Sequence, residues 1–446
     1  MLLAAARGLL AHALPILVAQ LSSIGMMLVD TVVLGHVGAT DLAAVAIGGG
    51  LHVSVVFALV GILQAVAPMV AHLHGARRDP EVAGVLQQGF WLALLLCVPG
   101  ILFLRHPDPV LALSAMEPAV AAKVRQYLGL LAWGLPAALC YRTFYAFCNA
   151  LGKPRALMLI GLFSLGLHAL LAWGLALQGW LGEGLGVVGC ALSNICVAWL
   201  ACAGAVLYLN FGPLAERYRP FANWRLPSWN TWRELLRLGL PMGLSNLVEI
   251  TSFTLIALFI ASLGAATVAG HRVVANLAAL CYMLPLSLAI ATLAAVGQAV
   301  GARDWRRAHA AIGAGMLLAA GLSTLAGALL WLTAGPVVAT YTDDPAVRSV
   351  AVGLLAYVAV YQFFDALQTV AGHALRAYRV TFVPMLVQTT CFWGIGLGGG
   401  WWLCYRREPA LGVDGYWIAA VVSLVFAALL LGSLLGKTMQ ATESTP

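Results

Sequence analysis

Three acidic side chains interrupt long apolar runs: Asp30 in IGMMLVDTVVLGHV, Glu249 in LVEITSFTLIALF and Asp365 in YQFFDALQTVAGHALRAYR. Around two of them polar residues recur at helical intervals. Tyr361, Asp365 and Thr369 stand at i, i+4 and i+8, and Ser245, Glu249 and Ser252 share a face of another segment. Carboxylate, phenol and hydroxyl oxygens gathered in this way are hard ligands suited to Na⁺. Two carboxylates placed close together also make a shared proton the natural replacement for the metal. Asp30 heads a second group, with Gln20, Ser23 and Met27 along one stripe, and with Tyr145 and Asn149 four apart on another segment. Sulfur and aromatic rings around a carboxylate make an adaptable pocket for flat organic cations. The same residues fit packing between helices equally well.

The elements that must hold these groups are membrane helices. Hydrophobic residues make up 62% of the 446, charged residues 9%, and the mean hydropathy is +0.93, far from a soluble chain's composition of about half apolar and a quarter charged. A span needs about 20 mostly apolar residues to cross roughly 30 Å of hydrocarbon. Cutting the chain where charge, Pro and Gly cluster gives about twelve: 9–34, 43–72, 87–104, 127–149, 156–178, 187–210, 236–261, 272–300, 310–333, 350–374, 382–404 and 414–436. Segments of this length predict an all-α bundle, because lipid leaves no partner for unpaired backbone groups and a barrel would show alternating segments of about ten residues. At 1.5 Å per residue Glu249 lies about 18 Å from Arg237 and Asp365 about 16 Å from Arg376, near mid-bilayer, whereas Asp30 is about 35 Å from Arg7. An ion at that depth is costly, and such residues usually mark an ion or proton path.

The chain also repeats itself. LPILVAQ at Leu14 aligns with LPMGLSN at Leu240, and the same offset of 226 places Gly38-Ala39 on Gly264-Ala265 and Gly75-Ala76-Arg77 on Gly301-Ala302-Arg303. The expected organisation is a six-helix lobe over 1–210, a polar connector over 211–235 and a second six-helix lobe over 236–446. An even number of spans per copy predicts a pseudo-two-fold axis along the membrane normal, an arrangement typical of transporters. With the N-terminus inside, sixteen Lys and Arg fall on cytoplasmic segments and seven on the opposite side, so both termini are expected in the cytoplasm. The first apolar run is too long for a cleaved signal and is expected to stay as a helix. The basic residues are spread over short loops, which argues against a nucleic-acid partner. The nine Cys contain no CxxC pair and read as small hydrophobes. No HExxH, Walker loop or Cys/His cluster is present, so neither an enzyme nor a cofactor is expected.

Five stretches resemble one family. LVDTVVLGHVG in the first helix, VAPMVAHLHGAR at the end of the second, LVEITSFTLIALF in the seventh, VGQAVGA closing the eighth and YQFFDALQTVAGHALRAYR in the tenth are similar to the multidrug and toxic compound extrusion (MATE) family, in its NorM-like branch. The resemblance covers residues 8–436. It implies a twelve-helix antiporter with two six-helix lobes, exporting small organic cations in exchange for Na⁺ or H⁺, with Glu249, Asp365 and Tyr361 binding the coupling cation. It also implies a multi-pass protein of the bacterial cytoplasmic membrane, among lipids and monomeric. That branch often places two Asn on the fifth helix near the first-helix Asp; here those positions are His168 and Ala172. His168 either takes over a proton site with Asp30 or is simply a hydrogen-bonded histidine.

Other residues have plainer expectations. Arg142 should pair with an acid or a helix-end carbonyl, and His373 and Arg376 should cap the tenth helix. Two rival functions follow from the same sequence. A flippase for lipid-linked oligosaccharide would line its cavity with Arg or Lys, whereas the in-span charges are mostly acidic. A polytopic enzyme acting on lipids would carry paired acids at the surface, where Asp343-Asp344 is the adjacent pair.

Overall fold

The computed structural model describes residues 1–112, 116–180 and 183–444, and every regular element among them is helical. Among the described residues ten helices are long and apolar enough to cross a membrane. The contacts divide the chain into two units, Pro15–Gly243 and Met1–Leu14 with Leu244–Pro446.

The first unit contains most of α1 (Leu2–Val37), then α2 (Ala39–Leu63), α3 (Val66–Gly75), α4 (Asp79–Arg105) and the short α5 (Asp108–Leu111). It continues with α6 (Pro118–Leu131), α7 (Leu135–Ala150), α8 (Arg155–Ala172), α9 (Val187–Phe211), the single turn α10 (Ala215–Tyr218) and the start of α11 (Trp229–Phe259). The span expected over 127–149 is broken between α6 and α7. Pro136 sits in the first turn of α7, and its missing N–H cannot continue the ladder from α6. Beyond α8 the backbone widens into a π-helical turn, Trp173–Leu177.

The polar connector is docked on this unit by two adjacent buried amides of α4. Gln87 donates to the carbonyls of Pro220 at 2.6 Å and Asn223 at 3.0 Å and accepts from the Arg225 amide at 3.0 Å. Gln88 donates to Leu226 O at 2.9 Å and accepts from Ser228 N at 2.7 Å. Backbone groups that would otherwise be orphaned in an irregular stretch are satisfied in this way.

The second unit holds the rest of α11, then α12 (Ala265–Gly301), α13 (Trp305–Leu332), the short α14 (Ala334–Ala339), α15 (Pro345–Ala377), α16 (Phe382–Thr389), α17 (Gly400–Tyr405) and α18 (Val413–Glu443). The span expected over 382–404 is α16 and α17 joined by a ten-residue π-helical segment, Thr390–Gly399. Its glycine-rich sequence, TCFWGIGLGG, tolerates the wider turn, and such segments concentrate at functional sites. Val248, Leu354, Leu355, Tyr361, Phe392 and Trp417 pack into this unit's core.

The repeat is visible in backbone geometry as well as in letters. Gly186 and Gly412, 226 residues apart, hold φ 54° and 58° just before α9 and α18. Arg77 and Arg303 hold φ 59° and 56° in the turns before α4 and α13. The offset read in the first two helices of each copy thus persists to the sixth.

Candidate functional site

In the second unit, α11 and α15 bring Glu249, Tyr361 and Asp365 to one small cavity of about 40 Å³, which Ser252, Phe253 and Ile256 of α11, Phe392 and Gly396 of the π segment, and Ala420, Ser423 and Leu424 of α18 complete. Asp365 is 4% exposed and Tyr361 8%. The Tyr361 ring is fixed edge-on between Phe253 and Trp417, with centroids 6.2 and 6.1 Å away, so its phenol oxygen has a set direction. One side of Asp365 is occupied: Gln368 Nε2 donates to its Oδ1 at 3.0 Å and to Thr369 Oγ1 at 2.9 Å, and Gln388 Nε2 donates to Gln368 Oε1 at 3.2 Å. Tyr282 of α12 lies beside Glu249 and Thr369.

The cavity walls combine two carboxylates, a phenol and two hydroxyls with apolar surface. Two anionic oxygen pairs facing one low-dielectric space repel each other unless a small cation or a proton accompanies them. Ser245 and Thr369, expected on the same helix faces, are buried but do not border the cavity. Gln368 and Gln388 were not legible in advance. Arg376 stands in the last turn of α15, as expected, but it is buried, 7% exposed, and its charge reaches Glu249. His373 Nδ1 meets the Thr369 carbonyl at 2.9 Å within its own helix.

In the first unit the structure joins Asp30 and His168. Asp30 Oδ1 lies 3.0 Å from His168 Nε2, and Oδ2 accepts from Asn194 Nδ2 at 3.0 Å. His168 is fully buried and Asp30 is 6% exposed. The other imidazole nitrogen, Nδ1, lies 2.8 Å from Ser193 Oγ. Cys190 and Tyr127 lie beside Asp30, so one cysteine read as a small hydrophobe borders a charged group. Ala172 is buried nearby on the His168 helix.

The remaining expected residues do not join that network. Tyr145 lies beside Asn149 and Gln20, its ring 5.6 Å from the Arg142 guanidinium; Arg142 thus rests on an aromatic face and not on an acid. Asn149 is buried, while Met27 is 56% exposed. A further ion pair, with a buried acid and a half-exposed lysine, was missed altogether. Lys123 at the start of α6 closes on Asp41 in the first turn of α2, and the other Asp41 oxygen accepts from Val187 N at 3.0 Å. Among the described residues no group of three or more His, Cys, Asp and Glu is placed to hold a metal ion.

The model of the MatE family matches residues 15–173 and 241–402. The chain belongs to the MATE family. A protein of Aromatoleum aromaticum named "Probable multidrug resistance protein NorM" is 53% identical over 436 residues, covering 97% of this chain and 94% of its own. The "Multidrug resistance protein NorM" of Aliivibrio fischeri is 34% identical, over 94% of this chain and 91% of its own. In fold, this MATE member superposes on the eukaryotic MATE transporter AtDTX14 with a TM-score of 0.89 at 20% identity, covering 99% of both chains. It matches an outward-facing multidrug resistance MATE family transporter at 0.90 and 18%, over 99% of this chain and 97% of the other. The chain is therefore a multi-pass integral membrane protein of the NorM-like branch.

Proposed function

We propose that this protein is a secondary active antiporter that exports organic cations in exchange for Na⁺ or H⁺ by alternating access. The observation that carries the reading is the cavity shared by Glu249, Asp365 and Tyr361. Its volume of about 40 Å³ suits a few water-sized bodies, against roughly 300–1,000 Å³ for pockets that take drug-sized ligands. Its chemistry is that of a small hard cation or a proton. A site that fits the ion and excludes the drug must act on drug binding indirectly, by favouring one conformation over another. Ion and drug then weaken each other's binding, and linkage makes that antagonism mutual.

The names of the NorM relatives support drugs as the cargo. Asp30 and His168 supply a second cation or proton site, or the anionic wall of the drug pocket, a part that Asn149, Tyr145 and Met27, outside their hydrogen-bond network, do not share. The charge bias of the loops supports cytoplasmic termini, and a bacterial cytoplasmic membrane, a monomeric state and no cofactor beyond the coupling ion complete the reading. The mostly acidic in-span charges favour it over a flippase for anionic lipid-linked sugars.

The test is drug efflux from proteoliposomes under separately imposed Na⁺ and pH gradients. Glu249→Gln and Asp365→Asn are expected to abolish ion-driven efflux while insertion is retained. Wild-type rates in both variants would overturn the proposal.

A further inference from the structure

The π-helical segment Thr390–Gly399 has two sides. Phe392 and Gly396 border the cavity beside Glu249 and Asp365, while Trp393, Leu397 and Gly398 border a separate groove of about 460 Å³. α11 divides in the same way, with Ser252, Phe253 and Ile256 on the cavity and Leu255 and Phe259 on the groove. Trp401 of α17 completes the groove. The cavity and the groove are thus separated by a single layer of helix.

No charged or hydroxyl side chain lines the groove, and Trp393, Gly398 and Trp401 are exposed. From Trp393 to Trp401 it runs about 12 Å at helical rise, most of the depth of one leaflet in a hydrocarbon layer of roughly 30 Å. Its far end is tied and charged. The Tyr405 hydroxyl donates to the Phe259 carbonyl at 2.5 Å and lies 2.9 Å from Ser262 Oγ, which fixes α17 against the end of α11. The amides of Arg406 and Arg407 both donate to Trp402 O, at 2.9 and 3.1 Å, so two basic residues follow the last turn of α17. Arg406 turns back over the groove, its guanidinium 5.2 Å from the centre of the Trp401 ring. It is the first charged residue after Arg379 and marks the level at which hydrocarbon gives way to headgroups. Glu408 follows, exposed, and leaves this end with a net charge of +1. Among the described residues no ion pair joins either arginine to a carboxylate.

We infer that the groove binds one anionic phospholipid, an acyl chain lying along Leu255, Phe259 and Leu397 and the phosphate meeting Arg406 and Arg407, and that the bound chain braces the π-helical wall of the cavity behind it. A guanidinium matches a phosphate through paired N–H donors, and stacking on Trp401 fixes its direction before the lipid arrives. Lipid tails are as apolar as the groove, so the chain is held by packing on a concave surface and the headgroup by charge. The segment it covers holds four glycines in ten residues, TCFWGIGLGG, and has few side chains of its own to resist bending.

The brace rests on the antiport reading; the lipid site does not. The delipidated full chain in detergent is titrated with dioleoyl phosphatidylglycerol or dioleoyl phosphatidylcholine, and bound lipid is counted by native mass spectrometry. One phosphatidylglycerol should bind at least about tenfold more tightly than phosphatidylcholine, the worth of two basic residues at a lipid headgroup. Arg406→Gln should weaken phosphatidylglycerol about fivefold on the same scale and leave phosphatidylcholine unchanged. A Cβ on Gly398 meets nothing nearer than Trp393 O at 3.6 Å, so Gly398→Leu extends into the groove and should weaken binding at least about tenfold by displacing the chain's packing contacts. Gly394, exposed on the same segment, borders neither space, and Gly394→Leu should bind like wild type. Equal binding of the two lipids by wild type, wild-type binding by Gly398→Leu, or an equal loss in Gly394→Leu would overturn the site. Ion-driven efflux is the separate readout of the brace: it should be faster in vesicles containing phosphatidylglycerol than in pure phosphatidylcholine, and Gly398→Leu should erase the difference. The same rate in both lipids would overturn the brace. No efflux in either, beside a normal binding titration, would remove the antiport reading and leave the lipid site standing.

Discussion

Lys123 closes on the Asp41 carboxylate, whose second oxygen caps the N-terminus of α9 through the Val187 amide. Three elements, the starts of α2, α6 and α9, meet at one acid. Asp41→Asn keeps an acceptor for Val187 and loses an ion pair whose lysine is 37% exposed, so a loss of about 1 kcal/mol is expected. Asp41→Ala also orphans the amide and should cost about 2 kcal/mol. Gly186→Ala should be at least as damaging, since its φ is 54° and a Cβ would stand 2.6 Å from Asp41 Oδ1. Thermal unfolding of the purified variants in detergent checks the order; equal melting temperatures for the two Asp41 variants would show that the cap contributes nothing.

Filling the cavity beside Glu249 and Asp365, the proposed seat of the ion, should separate ion binding from folding. A Cβ on Gly396 meets nothing nearer than Ser423 Oγ at 3.5 Å, an ordinary contact, so Gly396→Ala should behave like wild type. Gly396→Ile extends into a space of about 40 Å³ and should abolish ion-driven efflux with the protein still inserted. Na⁺ binding by calorimetry and efflux from vesicles are the two readouts, and full efflux by the isoleucine variant would show that the cavity is not the ion's seat.

Asp365 is held by an amide chain of two links. Gln368→Met removes the donor to Asp365 Oδ1 and should weaken coupling-ion affinity about tenfold through loss of side-chain placement. Gln388→Met acts one step further out and should have an effect of about threefold. Ion titrations of each variant measure this gradient; a larger loss at Gln388 than at Gln368 would contradict the chain of contacts.

Removing the two glutamines that dock the connector should free it. Gln87→Ala with Gln88→Ala deletes five hydrogen bonds to residues 220–228, and protease cleavage within that stretch is expected to accelerate at least about tenfold, because cutting follows local opening. Unchanged cleavage would mean that the contacts left, those of Trp224 with Phe90, Trp91 and Phe221 and the Trp91 Nε1 bond to Arg225 O, suffice to hold the stretch.

The grouping of Glu249, Tyr361 and Asp365 around one cavity was legible in the sequence because a carboxylate in hydrocarbon is rare and two of them carried partners at helical spacing. Tyr361, Asp365 and Glu249 announced themselves by cost. Asn194, Ser193, Gln368 and Gln388 did not, since neutral polar residues are common in spans and nothing in their spacing names a partner. Asp30 and His168 are 138 residues apart, and only the fold shows that they touch. Asp41 and Lys123, separated by 82, drew no pairing from the sequence for the same reason. The helical spans followed from hydropathy; the breaks at Ala132–Gly134 and Thr390–Gly399 did not, because hydropathy averages over the local backbone chemistry that makes them.

The offset of 226 has one more implication. It carries Asp30 onto Ile256 and Asn194 onto Ala420, and both of these line the hollow of the second unit. At corresponding places one copy is plugged by an acid and an amide, and the other has hydrocarbon beside a void, its own acids shifted to neighbouring positions. The two copies keep the same backbone offset with different interiors, so an exchange of those residue pairs between them would not carry one copy's polar cluster into the other.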